Sequence, residues 1–176
     1  VQLGSDAALR IPGDVTLEAW VYPRDVSGSR YVVSWAGQGA GEGDNYLYGM
    51  RLSDTGDLTA IHKYGNLNPA IVVTFDTNVP ADSWTHIALT RNTTAMTYTA
   101  YINGAFFGTQ TYSDNPTGGD VGVATGQIGA QANWTNVFDG YIDDVRIWST
   151  LRSEGDIQAD MSRELNGDEA DLAGYW

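Results

Sequence analysis

Trp84-Thr85-His86-Ile87-Ala88-Leu89-Thr90-Arg91 is followed by an alternating run from Met96 to Ile102, by Asn103-Gly104, and by Ala105 to Thr109. Ile87 and Leu89 point one way while His86, Ala88 and Thr90 point the other, which is the two-residue period of a strand with one buried face. Asn103-Gly104 is the pair that a type I′ hairpin turn demands, because both central positions need positive φ. The spacing predicts three consecutive antiparallel strands. Working back along the chain, Thr16 to Tyr22 sets Leu17, Ala19 and Val21 against Glu18, Trp20 and Tyr22, and Pro23 stops the run. Tyr31 to Trp35, Tyr46 to Leu52, Leu58 to Tyr64 and Ile71 to Phe75 follow the same rule, separated by Gly, Asp and Asn.

Further on, Tyr112 to Gly126 carries glycines and few large apolar groups and reads as a long loop, with a short strand at most over Gln127 to Gly129. Asp139-Gly140 then introduces Tyr141 to Trp148, where simple alternation puts Tyr141, Asp143, Val145 and Ile147 on one face. Ser153 with Asp156 resembles a capping box, and Ile157, Met161 and Leu165 fall at helical spacing up to Asn166-Gly167. Leu172 to Trp176 adds a closing strand. About a dozen short strands without intervening helices imply an all-β sandwich of two antiparallel sheets with one short C-terminal helix. A length of 176 residues makes this a single domain over 1–176.

Nine Lys plus Arg stand against 22 Asp plus Glu, a formal charge of −13. Such a surface repels phosphate backbones and anionic lipid heads, and no basic stripe offsets it, so nucleic acid is excluded as a partner. The chain has no cysteine, which excludes a disulfide framework, a thiolate zinc site and a cysteine nucleophile. No apolar run approaches the length of a membrane span, so membrane insertion is not expected. Divalent cations and uncharged ligands remain.

Thr16-Leu17-Glu18-Ala19-Trp20-Val21, Ser83 to Thr90 and Tyr101-Ile102-Asn103-Gly104, in that order, resemble bacterial laminin-G-like domains of the concanavalin A-like lectin/glucanase superfamily. Phe138 to Trp148, followed by Leu151 and the helix containing Ile157, is similar to the closing segment of pentraxins. The resemblance implies a jelly-roll of two curved sheets, an extracellular or cell-surface setting, and a module that sits beside other domains. It also implies a glycan or cell-surface glycoconjugate as partner and structural calcium as cofactor. Gly174-Tyr175-Trp176 looks like the beginning of such a domain; either a tandem array is cut there or this strand closes the domain.

The glucanase branch carries a Glu-x-Asp-x-x-Glu strand whose alternate carboxylates act as nucleophile and general acid. That pattern does not occur here, so the expectation is a non-catalytic binding or adhesion module. Calcium needs several oxygen ligands. Asp143 is the first candidate, because a carboxylate in line with Val145 and Ile147 must be exposed, hydrogen-bonded or metal-bound; the resemblance favours calcium there. Glu42, Asp44 and Asn45 in one Gly-rich loop form a second oxygen-rich cluster, and Asp114, Asn115 and Asp120 a third. A glycan needs aromatic faces and polar groups for its hydroxyls. Trp134, flanked by Asn133, is the expected exposed platform, with Tyr46, Tyr64 and Asn66 behind it, whereas Trp20, Trp84 and Trp148 are expected in the core. His62 and His86 are expected as strand histidines, His62 near a loop rim. The alternative is a purely structural bead of an adhesin or fibre subunit without a sugar site.

Overall fold

The computed structural model describes residues 1–37, 45–63, 70–116, 124–131 and 135–176. Its strands, in chain order, are β1 (Gln2–Gly4), β2 (Val15–Pro23), β3 (Arg30–Gly37), β4 (Asn45–Leu52), β5 (Leu58–Lys63) and β6 (Ala70–Phe75). They continue as β7 (Thr85–Asn92), β8 (Thr97–Ile102), β9 (Ala105–Thr111), β10 (Ala124–Ile128), β11 (Gly140–Trp148) and β12 (Leu172–Tyr175), with one α-helix among the described residues, α1 (Glu154–Asp160), and a 3-10 turn over Ala7–Leu9. Two six-stranded sheets result, ordered β1-β10-β3-β4-β5-β6 and β12-β11-β2-β7-β8-β9, and every pairing is antiparallel. This is the expected sandwich. Leu17, Ala19 and Val21 of β2 and Ile87 and Leu89 of β7 face Trp35, Met50 and Leu58 of the opposing sheet in one buried core. Asn103 and Gly104 both hold positive φ, as the hairpin between β8 and β9 requires.

Three local expectations are corrected. Ala124 to Gly126, read as loop, lies in β10 and pairs with β3. A Cβ on Gly126 would lie 2.6 Å from Cε3 of Trp35, so this glycine makes room for a core ring rather than marking a turn. In β11 the register jumps from Asp143 opposite Trp20 to Arg146 opposite Glu18, and Asp144 takes φ of 50°, which together are a β-bulge. The extra residue reverses the phase. Ile142, Val145 and Ile147 pack on the core, and Asp143 stays on the outer face with Tyr141, not in line with Val145 and Ile147. The helix also stops short of Leu165. Arg146 reaches out from the sheet to the carbonyls of Asp160 (2.7 Å) and Arg163 (2.8 Å), occupying the acceptors at that end and pinning the segment down. At the other end the capping box is real, with Ser153 and Asp156 satisfying each other's backbone amides.

The segment after β11 thus lies over the outer face of the second sheet. Ile157 packs on Ala88 and Tyr101, and the indole of Trp20 donates to the Met161 carbonyl at 2.6 Å. No helix among the described residues is long and apolar enough to cross a membrane.

Candidate functional site

The cover ends where three aromatic side chains meet. Tyr22 near the end of β2, Trp84 just before β7 and Tyr141 at the start of β11 occupy neighbouring positions on the outer face of the second sheet. Ring centroids are 5.7 Å apart for Tyr22 and Trp84, 5.9 Å for Tyr22 and Tyr141, and 6.4 Å for Trp84 and Tyr141. Trp84 and Tyr141 project from strands two places apart, a backbone separation of about 10 Å. Their rings therefore lean toward one another over Tyr22. Tyr22 meets both at 62°, while the outer pair are only 34° from parallel. Trp84 is 46% and Tyr141 58% exposed, and Tyr22 beneath them is half-buried. Contiguous exposed rings of this kind are the informative case, unlike a single exposed apolar residue.

The rim is polar. The Arg24 guanidinium lies 5.7 Å from the Tyr141 centroid and pairs with Asp139 at 3.0 Å, and its backbone N–H donates to the Asp139 carbonyl at 2.8 Å. Asp143, two residues beyond Tyr141 on the same face, is exposed, and its Oδ1 accepts the Asp144 N–H at 2.9 Å. Gly140 is what lets β11 come this close. A Cβ there would fall against the Tyr22 carbonyl oxygen and lie 3.0 Å from both Phe138 Cε1 and Pro23 Cα. Chemically, the site offers ring faces to an apolar surface and carboxylate oxygens to hydroxyl donors.

Trp84 corrects its expected place in the core. Alternation puts it on the outer face, and the covering segment that caps Trp20 does not bury it. Trp148, by contrast, is fully buried beneath the Arg152 guanidinium, 4.1 Å from its ring. Tyr46 is 4% exposed; its ring stacks on Tyr31 at 6.0 Å within a small cluster on the outer face of the first sheet, with Arg51 beyond Tyr31. Glu42, Asp44, Tyr64, Asn66, Asp120, Asn133 and Trp134 lie outside the described residues, as does the side chain of Asn45. Asn115 serves local structure, accepting from the Tyr112 hydroxyl at 2.5 Å and donating to the Thr93 carbonyl. Among the described residues no three acidic, histidine or cysteine side chains converge to hold a metal.

Both histidines are buried. His86 Nε2 sits 3.4 Å from the Glu18 carboxylate on the covered outer face of the second sheet, closed to any substrate. His62 does not line a rim. Its Nε2 faces the Asp114 carbonyl at 2.7 Å, so that nitrogen carries the proton and Nδ1 accepts from the Tyr98 hydroxyl at 2.9 Å. Burial lowers its pKa from 6.5 to about 4; the hydrogen bond to the Asp114 carbonyl opposes this and the Arg91 charge adds to it.

The family model of the concanavalin A-like lectin/glucanases superfamily (Laminin_G_3) matches residues 1–158. The chain belongs to this superfamily. No curated protein matches the sequence. Among solved structures, a Bacteroides ovatus protein provisionally assigned to carbohydrate binding is 19% identical with a TM-score of 0.69, covering 93% of this chain and 45% of that one. The CBM40 of Ruminococcus gnavus IT-sialidase is 12% identical with a TM-score of 0.71, covering 89% and 90%. The NanB sialidase of Streptococcus pneumoniae is 14% identical with a TM-score of 0.73, covering 90% and 25%. The chain therefore spans under half of the Bacteroides protein and a quarter of the sialidase. At these identities the likeness is one of fold, and the two-sheet sandwich is what is shared.

Proposed function

We propose that the chain is a non-catalytic carbohydrate-binding module, extracellular or at the cell surface, that holds a glycan on Tyr22, Trp84 and Tyr141. The observation that carries this reading is the three-ring platform left open at the end of the covered sheet. Superfamily membership supports it, as does the likeness to carbohydrate-binding neighbours. Sugar rings have apolar faces that stack on aromatic rings and hydroxyls that need polar partners, and both kinds of group meet here. Covering about 100 Å² of ring surface is worth about 2.5 kcal/mol, short of the 4.1 kcal/mol of a millimolar ligand. Hydrogen bonds to the rim must supply the difference.

A glycan array probed with the wild-type chain and with Trp84→Ala tests this. Binding that disappears in a folded Trp84→Ala supports it, and an array silent for the wild type removes it. Calcium enters the proposal through the oxygen-rich run of Glu42, Asp44 and Asn45 in the sequence and through the resemblance, as a stabiliser. Chelation is then expected to lower the melting temperature; melting unchanged by chelator and by added calcium removes the ion. A purely structural role is the second reading, favoured by Phe106 and Phe107, both exposed on the edge strand β9. Glu154 accepts the Phe106 N–H at 2.9 Å and so blunts that edge. Sedimentation as a concentration-independent monomer counts against that role.

A further inference from the structure

We infer that the aromatic platform takes uncharged sugars and turns away sugars bearing a carboxylate, and that Asp139 sets this preference by holding Arg24. The inference rests on the platform being the glycan site. It comes from the signs and commitments of the charges around the rings. Among the described residues Arg24 is the one cation that lies over any of the three rings, 5.7 Å from the Tyr141 centroid. It is already engaged on two sides, by the Tyr141 ring and by the Asp139 carboxylate.

The remaining rim charges are negative. Asp143 shares the face of Tyr141, and Asp82, exposed and directly before Ser83-Trp84, donates its N–H to the Pro23 carbonyl beside Arg24 at 2.7 Å. An arriving carboxylate would meet a rim that carries three carboxylates, Asp82, Asp139 and Asp143, against the one guanidinium of Arg24, on a chain whose net charge is −13. An uncharged sugar meets the opposite situation. Its hydroxyls are donors, and the Asp139 and Asp143 carboxylate oxygens on the rim are acceptors.

The Arg24–Asp139 pair is itself weakly held. Its side chains are 59% and 50% exposed, and exposed pairs of this kind contribute about 0–1 kcal/mol. Replacing the carboxylate by an amide therefore leaves the fold nearly untouched. The backbone hydrogen bond from Arg24 to residue 139 also survives, so the main chain that carries the guanidinium keeps its place, and the contact with the Tyr141 ring does not involve the carboxylate. What changes is its availability: an unpaired, planar fork of donors suits a carboxylate. Asp139 is in this sense a positioning residue acting through Arg24.

The test is titration calorimetry with matched pairs: lactose and 3′-sialyllactose, xylohexaose and its glucuronic-acid-branched form, galactotetraose and tetragalacturonate. The chains are the wild type, Asp139→Asn, Asp139→Glu and Trp84→Ala. The wild type is expected to bind the neutral member of at least one pair about tenfold or more tightly than the acidic member. In Asp139→Asn the ratio moves toward the acidic sugar by about fivefold or more, and the gain fades as salt rises from about 0.05 to 0.5 M. Asp139→Glu keeps the wild-type ratio, which a change confined to folding would not predict. A wild type that prefers the acidic members, or a folded Asp139→Asn with an unmoved ratio, overturns the inference while leaving the glycan reading intact. Binding that survives in Trp84→Ala places the sugar elsewhere and overturns it too. Silence of the wild type toward every member overturns both.

Discussion

Trp84 and Trp148 have similar sequence surroundings and opposite fates. Both sit at the edge of an alternating strand on its outward phase, and alternation states which face a residue takes, not whether something later covers that face. Arg152 and the segment behind it close over Trp148, while the same segment stops short of Trp84. Trp84→Ala is therefore expected to cost at most about 1 kcal/mol of stability, against about 3–5 kcal/mol for Trp148→Ala, read by urea unfolding. Equal costs would contradict the placement. His62 supplies the pH dependence at this scale. Its folded pKa of about 4 lies below the 6.5 of an unfolded ring, so the unfolded chain takes up a proton that the folded chain refuses. The stability it contributes is complete above pH 6.5, falls as pH drops from 6.5 to about 4, and amounts to about 3 kcal/mol. Unfolding measured across that window should show the slope in the wild type and a flatter profile in His62→Gln; identical slopes would contradict the buried neutral ring.

β11 is the element on which the site depends, and it is also where alternation misleads. A regular strand would align Asp143 with Val145, but the bulge at Asp144 inserts one residue and leaves Asp143 outside beside Tyr141. Nothing in a strictly alternating pattern announces a bulge; the Asp143-Asp144 pair, tolerant of positive φ, is the only local sign. The hairpin of β8 and β9 was legible because Asn103-Gly104 specifies one turn type, whereas β10 was hidden because Gly126 serves the Trp35 ring rather than a turn. Gly140 at the start of β11 has the same kind of role. Gly140→Ala forces a Cβ onto the Tyr22 carbonyl, so β11 must move away from β2 and carry Tyr141 off the triad. Loss of more than about 1 kcal/mol of stability together with weaker glycan binding is expected, by thermal melting and calorimetry. Wild-type binding in that variant would show that contact between Tyr22 and Tyr141 does not matter.

At the scale of the whole molecule, the sandwich could be read ahead of the structure because each strand carries its own buried face independently of the others. The platform could not, because residues 22, 84 and 141 become neighbours only through the pairing of β2 with β7 and β11. No local pattern joins positions so far apart in the chain. The same topology puts the platform at one end of the sandwich. The strand ends at Gly37, Asn45, Lys63, Ala70 and Ala124 gather at the other, and in the sequence they flank 38–44 and 64–69, the stretches that hold Glu42, Asp44, Tyr64 and Asn66. Two ends of one molecule thus compete for the role of binding surface, and a two-dimensional NMR titration with the best array ligand separates them directly. The account predicts that the Trp84 indole N–H and the amides around Tyr22 and Tyr141 shift with saturating ligand. Shifts confined to the far end, with the Trp84 indole unmoved, would contradict it.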